Sequence, residues 1–316
     1  MGRKKKNTLL LVDYFEEWIE TYKVGAVREV TLGKYYNSLQ KLKDIVPDLR
    51  LEDLDRRAYQ KIINEYAKTH EKQTTKDFHH QIKSAILDAV DEDLLARNPT
   101  RKVTIKGKEP RDKKVKYLSI EELKSLISAL NYTNEISIDW FIVFIAKTGL
   151  RFAEALAVTP NDIDASTRTL SVTKTWEYKK TNGMFQPTKN RSSVRKIKLD
   201  WQLAGQFCPL LINLPQDEPI FVEKNDDGEY KRIFNSTINK YLANKCKEAG
   251  VPVISIHALR HTHASILLSE GVTVHSIAER LGHANVTTTQ ETYTHIIKEL
   301  EIKDESKMIG ALSSIA

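Results

Sequence analysis

Cysteine and long apolar runs are scarce in this sequence, and each scarcity excludes a class of protein. The 316 residues include only two cysteines, Cys208 and Cys246. Two are too few for a disulfide framework or for an all-cysteine metal site. The longest apolar run, WFIVFIA at 140–146, falls far short of the roughly 20 residues of a membrane helix. The N-terminus has no signal-peptide pattern. We therefore expect a globular protein of the cytosol.

The net charge is concentrated in one short segment. The chain carries 49 basic and 42 acidic residues, for a formal net charge of +7. Residues 101–116 alone hold eight basic and two acidic residues. A charge run taken alone is most simply a solvated face. This one also follows Asn98-Pro99 and contains Gly107 and Pro110, which is the composition of a linker. A basic linker suits a chain that contacts a polyanion with a domain on each side.

Hydrophobic periodicity divides the chain into two domains. After a basic stub at 1–7, four helical patterns indicate an all-helical domain over 8–105, followed by the linker at 106–116. The four helices are predicted at 8–22, 30–46, 55–68 and 73–90. Residues 117–316 then form a second domain that mixes helices with a hairpin.

In the second domain, helix signals surround a short β region. A capping box at Ser119 begins a helix near residue 120, and Gly149 ends the next helix. Strand patterns cover 168–175 and 194–199, with a turn predicted at Asn182-Gly183. Further helices are predicted over 234–249, 258–270, 273–281 and from 287 onward. The fold class is therefore α+β: mainly α, with a small β-hairpin sheet.

Two of the four chemically suggestive sites lie before residue 192. Arg151 follows the glycine-broken helix end, where its planar fork can face an oxyanion, and Glu154 can brace it one turn later. A surface Arg–Glu pair is the simpler alternative. Lys189 lies on or beside the predicted hairpin turn, where a lysine can donate a proton to a leaving oxygen. An ordinary exposed lysine is the alternative there.

The third site is the histidine-rich run HALRHTHAS at 257–265. His257 and Arg260 are three residues apart at the start of a helix, so both side chains lie on one face. His257 and His261 also have the spacing of zinc helices, but Ala258 stands where the zinc-protease pattern has glutamate. We therefore expect no metal here.

The fourth site is the run LGHANVTTTQETYTH at 281–295. His283 follows a helix-ending glycine, and Tyr293 lies ten residues later in a polar stretch. A half-buried packing role is the alternative for Tyr293. Its neighbours Thr292 and Thr294 are polar and few apolar residues lie nearby in the sequence, so the sequence favours a functional tyrosine over a core one.

Together these side chains suit phosphodiester cleavage without metal or cofactor. Arg151 and Arg260 would neutralise the non-bridging oxygens of a pentacovalent phosphate. Tyr293 would attack phosphorus, with His257 as base and His283 as a hydrogen-bond donor. Lys189 would protonate the leaving 5′ oxygen. The covalent link conserves the bond energy, so a second DNA hydroxyl can reverse the step without ATP.

The motifs that carry these residues resemble the tyrosine recombinase, or phage integrase, family. They are TGLRFAE at 148–154, PTK at 187–189, HALRHTHAS at 257–265, LGHA at 281–284 and TYTH at 292–295. The resemblance implies that Arg151, Lys189, His257, Arg260, His283 and Tyr293 are catalytic and that Glu154 supports the first arginine. It also implies a helical core-binding domain at 8–105 that, with the catalytic domain, clamps double-stranded DNA as a C shape.

The resemblance extends to partners and subtype. It implies a homotetramer on two duplexes, accessory excision or host DNA-bending factors, a nucleoid location in a bacterium, and a C-terminal tail (Ile309, Leu312, Ile315) that packs on a neighbouring protomer. We expect a mobile-element integrase, with a Xer-type chromosome-dimer resolvase as the alternative. The basic stub from Arg3 to Lys6 has two interpretations: a linker left from an N-terminal arm-binding domain of the kind many integrases carry, or a short N-terminus of the Xer type. Basic residues expected to contact DNA are Arg3, Lys4, Lys5, Lys6, Lys106, Lys108, Arg111, Lys113, Lys114 and Lys116.

Three other activities fit parts of the sequence. A catalytically idle DNA-binding regulator could use the same fold, although all six residues are retained. A type IB topoisomerase-like enzyme would share the chemistry without needing two sites. A zinc-dependent hydrolase would use the histidine cluster, and zinc in the purified protein would indicate it.

Overall fold

The computed structural model describes residues 9–109, 115–132, 134–180 and 182–294. The chain divides into two compact units, Met1–Lys113 and Lys114–Ala316. Within the described ranges, no helix has the length and apolar character needed to cross a bilayer. Each unit has its own apolar core.

The first unit is a bundle of four helices, close to the bounds that the periodicity predicts. Its core includes Phe15, Trp18, Tyr59 and Ile82, which the apolar stripes of the four helices turn inward. The Asp55 carboxylate caps the third helix by accepting a hydrogen bond from the Ala58 amide at 2.7 Å. The helices are α1 (Leu11–Tyr22), α2 (Glu29–Ile45), α3 (Arg56–Ala67) and α4 (Lys72–Asp91).

The chain after α4 returns to the same bundle. Gln60 brackets Thr104 with hydrogen bonds to both its amide and its carbonyl, each 2.9 Å. The Lys108 amide donates to His70 O at 2.8 Å. At Gly107 a Cβ atom would lie 2.2 Å from the Lys72 nitrogen, so this approach requires glycine. The exposed Lys106 and Lys108 are therefore carried on backbone that is fixed to the first unit.

The second unit is also mainly helical. The predicted capping box at Ser119 is present, with both of its hydrogen bonds formed. The run at 140–146 is buried on every side because its helix passes through the middle of the core. The helices are α5 (Ile120–Ser128), α6 (Ile138–Thr148), α7 (Phe152–Leu156), α8 (Trp201–Phe207), α9 (Asn235–Glu248), α10 (Ile256–Ser269), α11 (Val274–Leu281) and α12 (286–294).

Two small antiparallel sheets interrupt these helices. Strands β1 (Ile163–Asp164), β2 (Thr169–Val172), β3 (Lys174–Trp176), β4 (Phe185–Pro187) and β5 (Arg195–Lys198) form them. One sheet has the order β1–β2–β5, with Leu170 opposite Ile197, and the other is the β3–β4 hairpin. Asn182 has a left-handed φ of 55° between β3 and β4, where the turn is predicted. The α+β fold class is confirmed.

The structure differs from the sequence prediction at three places here. Strand β1 and helix α8 were not predicted, because one has two residues and the other has seven. Asp200 caps α8 by accepting from the Leu203 amide at 3.0 Å. Lys189 lies beyond β4, in the connection to β5, and not at the tip of the β3–β4 hairpin. Strands β2 and β5 flank the β3–β4 hairpin in the sequence, and they pair with each other.

Candidate active site

The first arginine of the site is presented by the break between α6 and α7. Gly149 ends α6 in the left-handed conformation, with φ of 70°, and Arg151 is the residue that precedes α7. The Arg151 side chain is about one-third exposed, at 34%. It donates to Glu154 Oε1 at 2.7 Å and to Gly282 O at 3.0 Å. Its partial exposure leaves the side chain accessible to an incoming anion.

The second arginine is buried and bridges two helix ends. Arg260 lies on α10, is 3% exposed, and donates to Gly149 O and to Leu281 O, each at 2.7 Å. These carbonyls belong to the C-terminal ends of α6 and α11, where backbone oxygens lack intrahelical donors. Burial, followed by the positive charge of Arg151, lowers the pKa of Arg260 to about 9. The site is therefore rich in positive charge.

Glu154 is not part of a surface ion pair. Its side chain is 1% exposed, and it accepts hydrogen bonds from both Arg151 and Arg195. Burial works to raise the pKa of this carboxyl, but the charge and hydrogen bonds of Arg195, then the charge of Arg151, hold it below the usual value. The simpler sequence interpretation, an exposed Arg–Glu pair, is wrong because both guanidinium groups converge on one buried carboxylate.

Two predicted histidines lie beside the arginines, and both favour the neutral form. His257 is exposed at the start of α10, where partial loss of solvent, then Arg260 and Arg151, lower its pKa. His283 follows α11, and its Nδ1 lies 2.7 Å from Thr289 Oγ1. Burial, followed by Arg260 and Arg151, lowers the pKa of His283 to about 4. Neutral imidazoles can accept a proton or donate one hydrogen bond at neutral pH.

Tyr293 is a core residue, which corrects the argument from its polar neighbours. It is 2% exposed and packs with Leu268, Ile277 and Leu281. Thr292 and Thr294 are exposed, because α12 turns only the Thr289–Tyr293 face inward. The Tyr293 hydroxyl lies 2.9 Å from His261 Nδ1. Burial raises the pKa of Tyr293 to about 12, although Arg260 works to lower it.

Lys189 lies at the near end of a connection that reaches the arginines. It is exposed, two residues after β4. Four residues later, Ser193 is 1% exposed and accepts a hydrogen bond from Arg151 at 3.4 Å. The chain after Lys189 is thus anchored at the cluster, while the lysine itself faces solvent.

Sequence reasoning missed five residues that build the site. Arg195 and Thr289 carry no local signal, since an isolated arginine on a strand and a threonine in a polar run are both common. The sequence suggests only a zinc-ligand role for His261 and no role for His263. The buried His263 has both ring nitrogens engaged: Nδ1 with Ala146 O and Nε2 with Arg280 Nε, each at 2.9 Å. Arg280 is the fifth.

The zinc alternative finds no cluster of ligands in the part of the chain that is described. There, no three His, Cys, Asp or Glu side chains are grouped to hold a metal ion. The rings of His257 and His261 instead pack edge to face, with centroids 4.8 Å apart.

Only part of the predicted DNA-contact set falls within the described residues. Lys106, Lys108 and Lys116 are exposed. The charge of Lys116 contributes to lowering the pKa of His261, after burial, His257 and Arg260, so this lysine lies near the cluster. The other predicted DNA contacts lie outside the described residues: Arg3, Lys4, Lys5, Lys6, Arg111, Lys113 and Lys114. The predicted C-terminal tail, with Ile309, Leu312 and Ile315, also lies outside them.

Both units are similar to known protein families. Residues 116–299 match the phage integrase family, and residues 10–105 match the phage integrase SAM-like domain. The integrase of Staphylococcus phage L54a is 26% identical, over 95% of this chain and 93% of that protein. The ICEBs1 integrase of Bacillus subtilis is 33% identical over 70% of this chain, which spans 62% of that relative. Tyrosine recombinase XerC of Bacillus subtilis is 25% identical, with 93% and 94% covered.

The fold has solved counterparts. The Tn1549 transposon integrase, in complex with a circular intermediate DNA, matches with a TM-score of 0.74 at 17% identity. The match covers 90% of this chain and 94% of that one. At this identity the likeness concerns the fold alone.

Proposed function

Because the chain belongs to the phage integrase family of tyrosine recombinases, it is a site-specific recombinase of DNA, and we propose that six residues of its second unit perform the strand transfer. These are Arg151, Lys189, His257, Arg260, His283 and Tyr293. The substrate is the phosphodiester backbone of double-stranded DNA. No metal or ATP is needed for the proposed reaction, since each step is a transesterification.

The observation that carries the proposal is the pairing of two guanidinium groups at one helix end. Arg260 and Arg151 donate to the successive carbonyls of Leu281 and Gly282. Their forks are therefore fixed next to each other before substrate arrives. Fixed cationic donors that face a developing phosphorane charge are the largest single contribution expected in such a reaction. Arg151, as the more exposed of the two, is the one that contacts the phosphate directly.

Tyr293 is the proposed nucleophile, and its side chain is held in a resting position. Its hydroxyl is hydrogen bonded to His261 and nearly inaccessible. Attack requires α12 to move so that the phenol meets the phosphate beside the arginines. There the two guanidinium charges lower the pKa of the phenol. His257, exposed and neutral on the same helix as Arg260, accepts its proton.

His283 and Lys189 complete the bond exchange. With Thr289 donating its hydroxyl proton to Nδ1, the His283 proton lies on Nε2, which donates to a non-bridging oxygen. The Tyr293 oxygen bonds to phosphorus while the bond from phosphorus to the 5′ oxygen breaks. Lys189 gives that oxygen its proton, which leaves a 3′-phosphotyrosyl link and a free 5′ hydroxyl. A 5′ hydroxyl from a second duplex reverses these steps.

The wider assembly follows from the reaction. Exchange of two strands in each of two duplexes needs four nucleophiles, so the active form is a homotetramer on DNA. The integrase of Staphylococcus phage L54a matches nearly the full chain and the ICEBs1 integrase matches 70% of it, which favours integration and excision of a mobile element. Accessory excision or DNA-bending factors and a nucleoid location fit that role. A Xer-type resolvase of chromosome dimers is the second candidate, since XerC also matches over most of the chain.

Covalent capture tests the function. The chain is expressed in bacteria that carry a genomic library, the cells are lysed in denaturant, and DNA attached to the protein is sequenced. We expect adducts at one or two discrete sites, with the 3′ DNA end blocked and the 5′ end free. Tyr293→Phe should abolish them. Tyr230→Phe is the matched control, because it removes another hydroxyl of the same unit and keeps the ring that packs on Trp176.

Each outcome of this capture is informative. Sites at the ends of a mobile element support an integrase, and one chromosomal site near the replication terminus supports the resolvase. Scattered adducts indicate topoisomerase-like activity. Adducts that persist in Tyr293→Phe, or none at all from a protein that binds DNA, contradict the proposal.

A further inference from the structure

A third buried arginine belongs to the same cluster. Arg195, the first residue of β5, has a side chain that is 6% exposed. It donates to both Glu154 oxygens, at 3.3 Å and 3.0 Å, to Ser193 O at 2.9 Å and, through Nε, to Arg280 O at 2.6 Å. This two-pronged contact uses the full planar fork, which lysine cannot reproduce.

Arg195 and Arg151 share one carboxylate. Glu154 Oε1 accepts from Arg151 Nη1 at 2.7 Å, and Oε2 accepts from the Arg151 amide at 3.0 Å. Arg195 occupies the other side of both oxygens. Without Arg195, the buried carboxylate would have Arg151 as its remaining cation. The Glu154 carboxylate would then draw the Arg151 guanidinium group inward and neutralise the positive charge that is proposed to bind the phosphate.

Three successive carbonyls at the end of α11 each receive one of these arginines. Arg195 donates to Arg280 O, Arg260 to Leu281 O, and Arg151 to Gly282 O. The end of α11 thus works as a common acceptor for all three side chains. Gly282 allows the approach, because a Cβ there would lie 2.9 Å from Arg195 Nη1 and 3.1 Å from Ser192 O.

We propose that Arg195 is a positioning residue for strand cleavage, which orients Arg151 through Glu154 and through the end of α11. This assignment rests on the proposed role of Arg151. Arg195 does not itself contact the phosphate, because every nitrogen of its guanidinium group is hydrogen bonded within the protein and the side chain is almost inaccessible. Its hydrogen bond to Ser193 O also fixes the connection that bears Lys189. One residue therefore positions both the proposed general acid and the first arginine.

The test measures cleavage of the site recovered by covalent capture, with protein in excess. We expect Arg195→Gln to lower the single-turnover cleavage rate by about 100-fold, the size of a lost oxyanion donor. The dissociation constant for DNA should change by less than about 3-fold, since Arg195 makes no contact with DNA. Arg195→Lys retains the charge without the fork and should lose about 10-fold. Lys196→Gln, on the exposed face of the same strand, is the control for a lost charge.

A methylphosphonate at the scissile position separates positioning from general damage. Replacing one charged oxygen by methyl removes the need for the charge of Arg151. On this substrate, the cleavage rates of Arg151→Ala and Arg195→Gln should both lie within about 3-fold of the rate of the protein without substitutions. Thermal unfolding is recorded for each variant, and Arg195→Lys serves if Arg195→Gln does not fold. A defect of the Arg195 variant that persists on methylphosphonate, while that of Arg151→Ala disappears, would overturn the assignment.

Two further results distinguish this proposal from the one on which it rests. Full cleavage activity in both Arg195 variants, alongside an inactive Arg151→Ala, overturns the role of Arg195 alone. Failure of the unmodified protein to form a Tyr293 adduct overturns the proposed function, and the role of Arg195 with it.

Discussion

At the scale of single residues, the most consequential contact is the hydrogen bond that holds Tyr293, the proposed nucleophile. Tyr293 is packed among aliphatic side chains, and its hydroxyl is satisfied by His261 Nδ1 at 2.9 Å. A buried hydroxyl without a partner costs about 1–3 kcal/mol. His261 therefore stabilises the buried position of Tyr293, which the proposed attack on phosphorus would have to disrupt.

Replacing His261 should expose Tyr293 in the free protein. In His261→Leu the phenol loses its partner, so the buried position is less favourable and nitration of Tyr293 should be about 10-fold faster, corresponding to about 1.4 kcal/mol. Nitrated tyrosines are located and quantified by mass spectrometry. Nitration of Tyr230 serves as the internal control. Equal rates at Tyr293 in the two proteins would show that His261 does not hold the tyrosine in place.

At the scale of elements, the ends of two helices determine where the cationic groups lie. The C-terminal end of α6 offers Gly149 O to Arg260, and α11 offers its last carbonyls to the three arginines. Helix C-termini carry partial negative charge, so they hold cations favourably. Gly149 makes this possible at α6, because its left-handed φ of 70° turns the carbonyl toward Arg260.

Two glycine substitutions separate backbone strain from crowding. Gly149 and Gly250 end helices with similar φ, 70° and 68°, so alanine at either costs about 1–2 kcal/mol of conformational strain. At Gly149 the new Cβ would also lie 2.7 Å from His263 Cδ2, whose ring is fixed by two hydrogen bonds, whereas nothing lies within 4 Å at Gly250. Overpacking of this kind adds about 1–3 kcal/mol.

We therefore expect Gly149→Ala to lose at least about 1 kcal/mol more unfolding free energy than Gly250→Ala, measured by urea denaturation. Similar losses in the two variants would mean that His263 moves aside freely.

At the scale of the whole molecule, buried neutral histidines link stability to pH in both units. Burial lowers the pKa of His79 in the first unit to about 4, and that of His263 in the second to about 3. His261 and His283 are also lowered to about 4, chiefly by burial. An unfolded histidine titrates near 6.5. Between these values the unfolded chain binds more protons than the folded one, so stability falls as the pH falls.

Thermal unfolding should therefore show its highest midpoint above about pH 6.5 and a decline from there toward pH 4. Each fully buried histidine contributes up to about 1.4 kcal/mol per pH unit across that window, and the partly exposed ones contribute less. Scanning calorimetry at constant ionic strength measures the midpoint. A midpoint that stays level from pH 7 to pH 5 would contradict the neutral, buried state of these side chains.

The helices were predictable because their signals are local. Periodic apolar stripes, the Ser119 capping box and the glycines at 149 and 282 all lie within a few residues of the features they determine. The sequence motifs also grouped Arg151, Arg260 and His283 in one predicted site. The family, the fold class and the recombinase activity were predicted correctly on that basis.

The rest of the site depends on contacts between distant parts of the chain. Arg195 meets Glu154 across 41 residues and Arg280 across 85, so no spacing rule reveals it. The sequence prediction that Tyr293 is a poor core residue was wrong, because its threonine neighbours point outward while the apolar partners come from α10 and α11. Local composition describes a side chain's neighbours in sequence, but burial depends on neighbours in space.

The arrangement of the arginines has a consequence for the free protein. Carbonyl dipoles orient these guanidinium groups without cancelling their charge, and the single carboxylate of Glu154 serves two of them. The described part of this arginine cluster therefore has more positive than negative side-chain charge. On the proposed mechanism, a DNA phosphate that binds at Arg151 balances this excess of positive charge. If the proposal holds, substrate binding is also the last step in assembling the site.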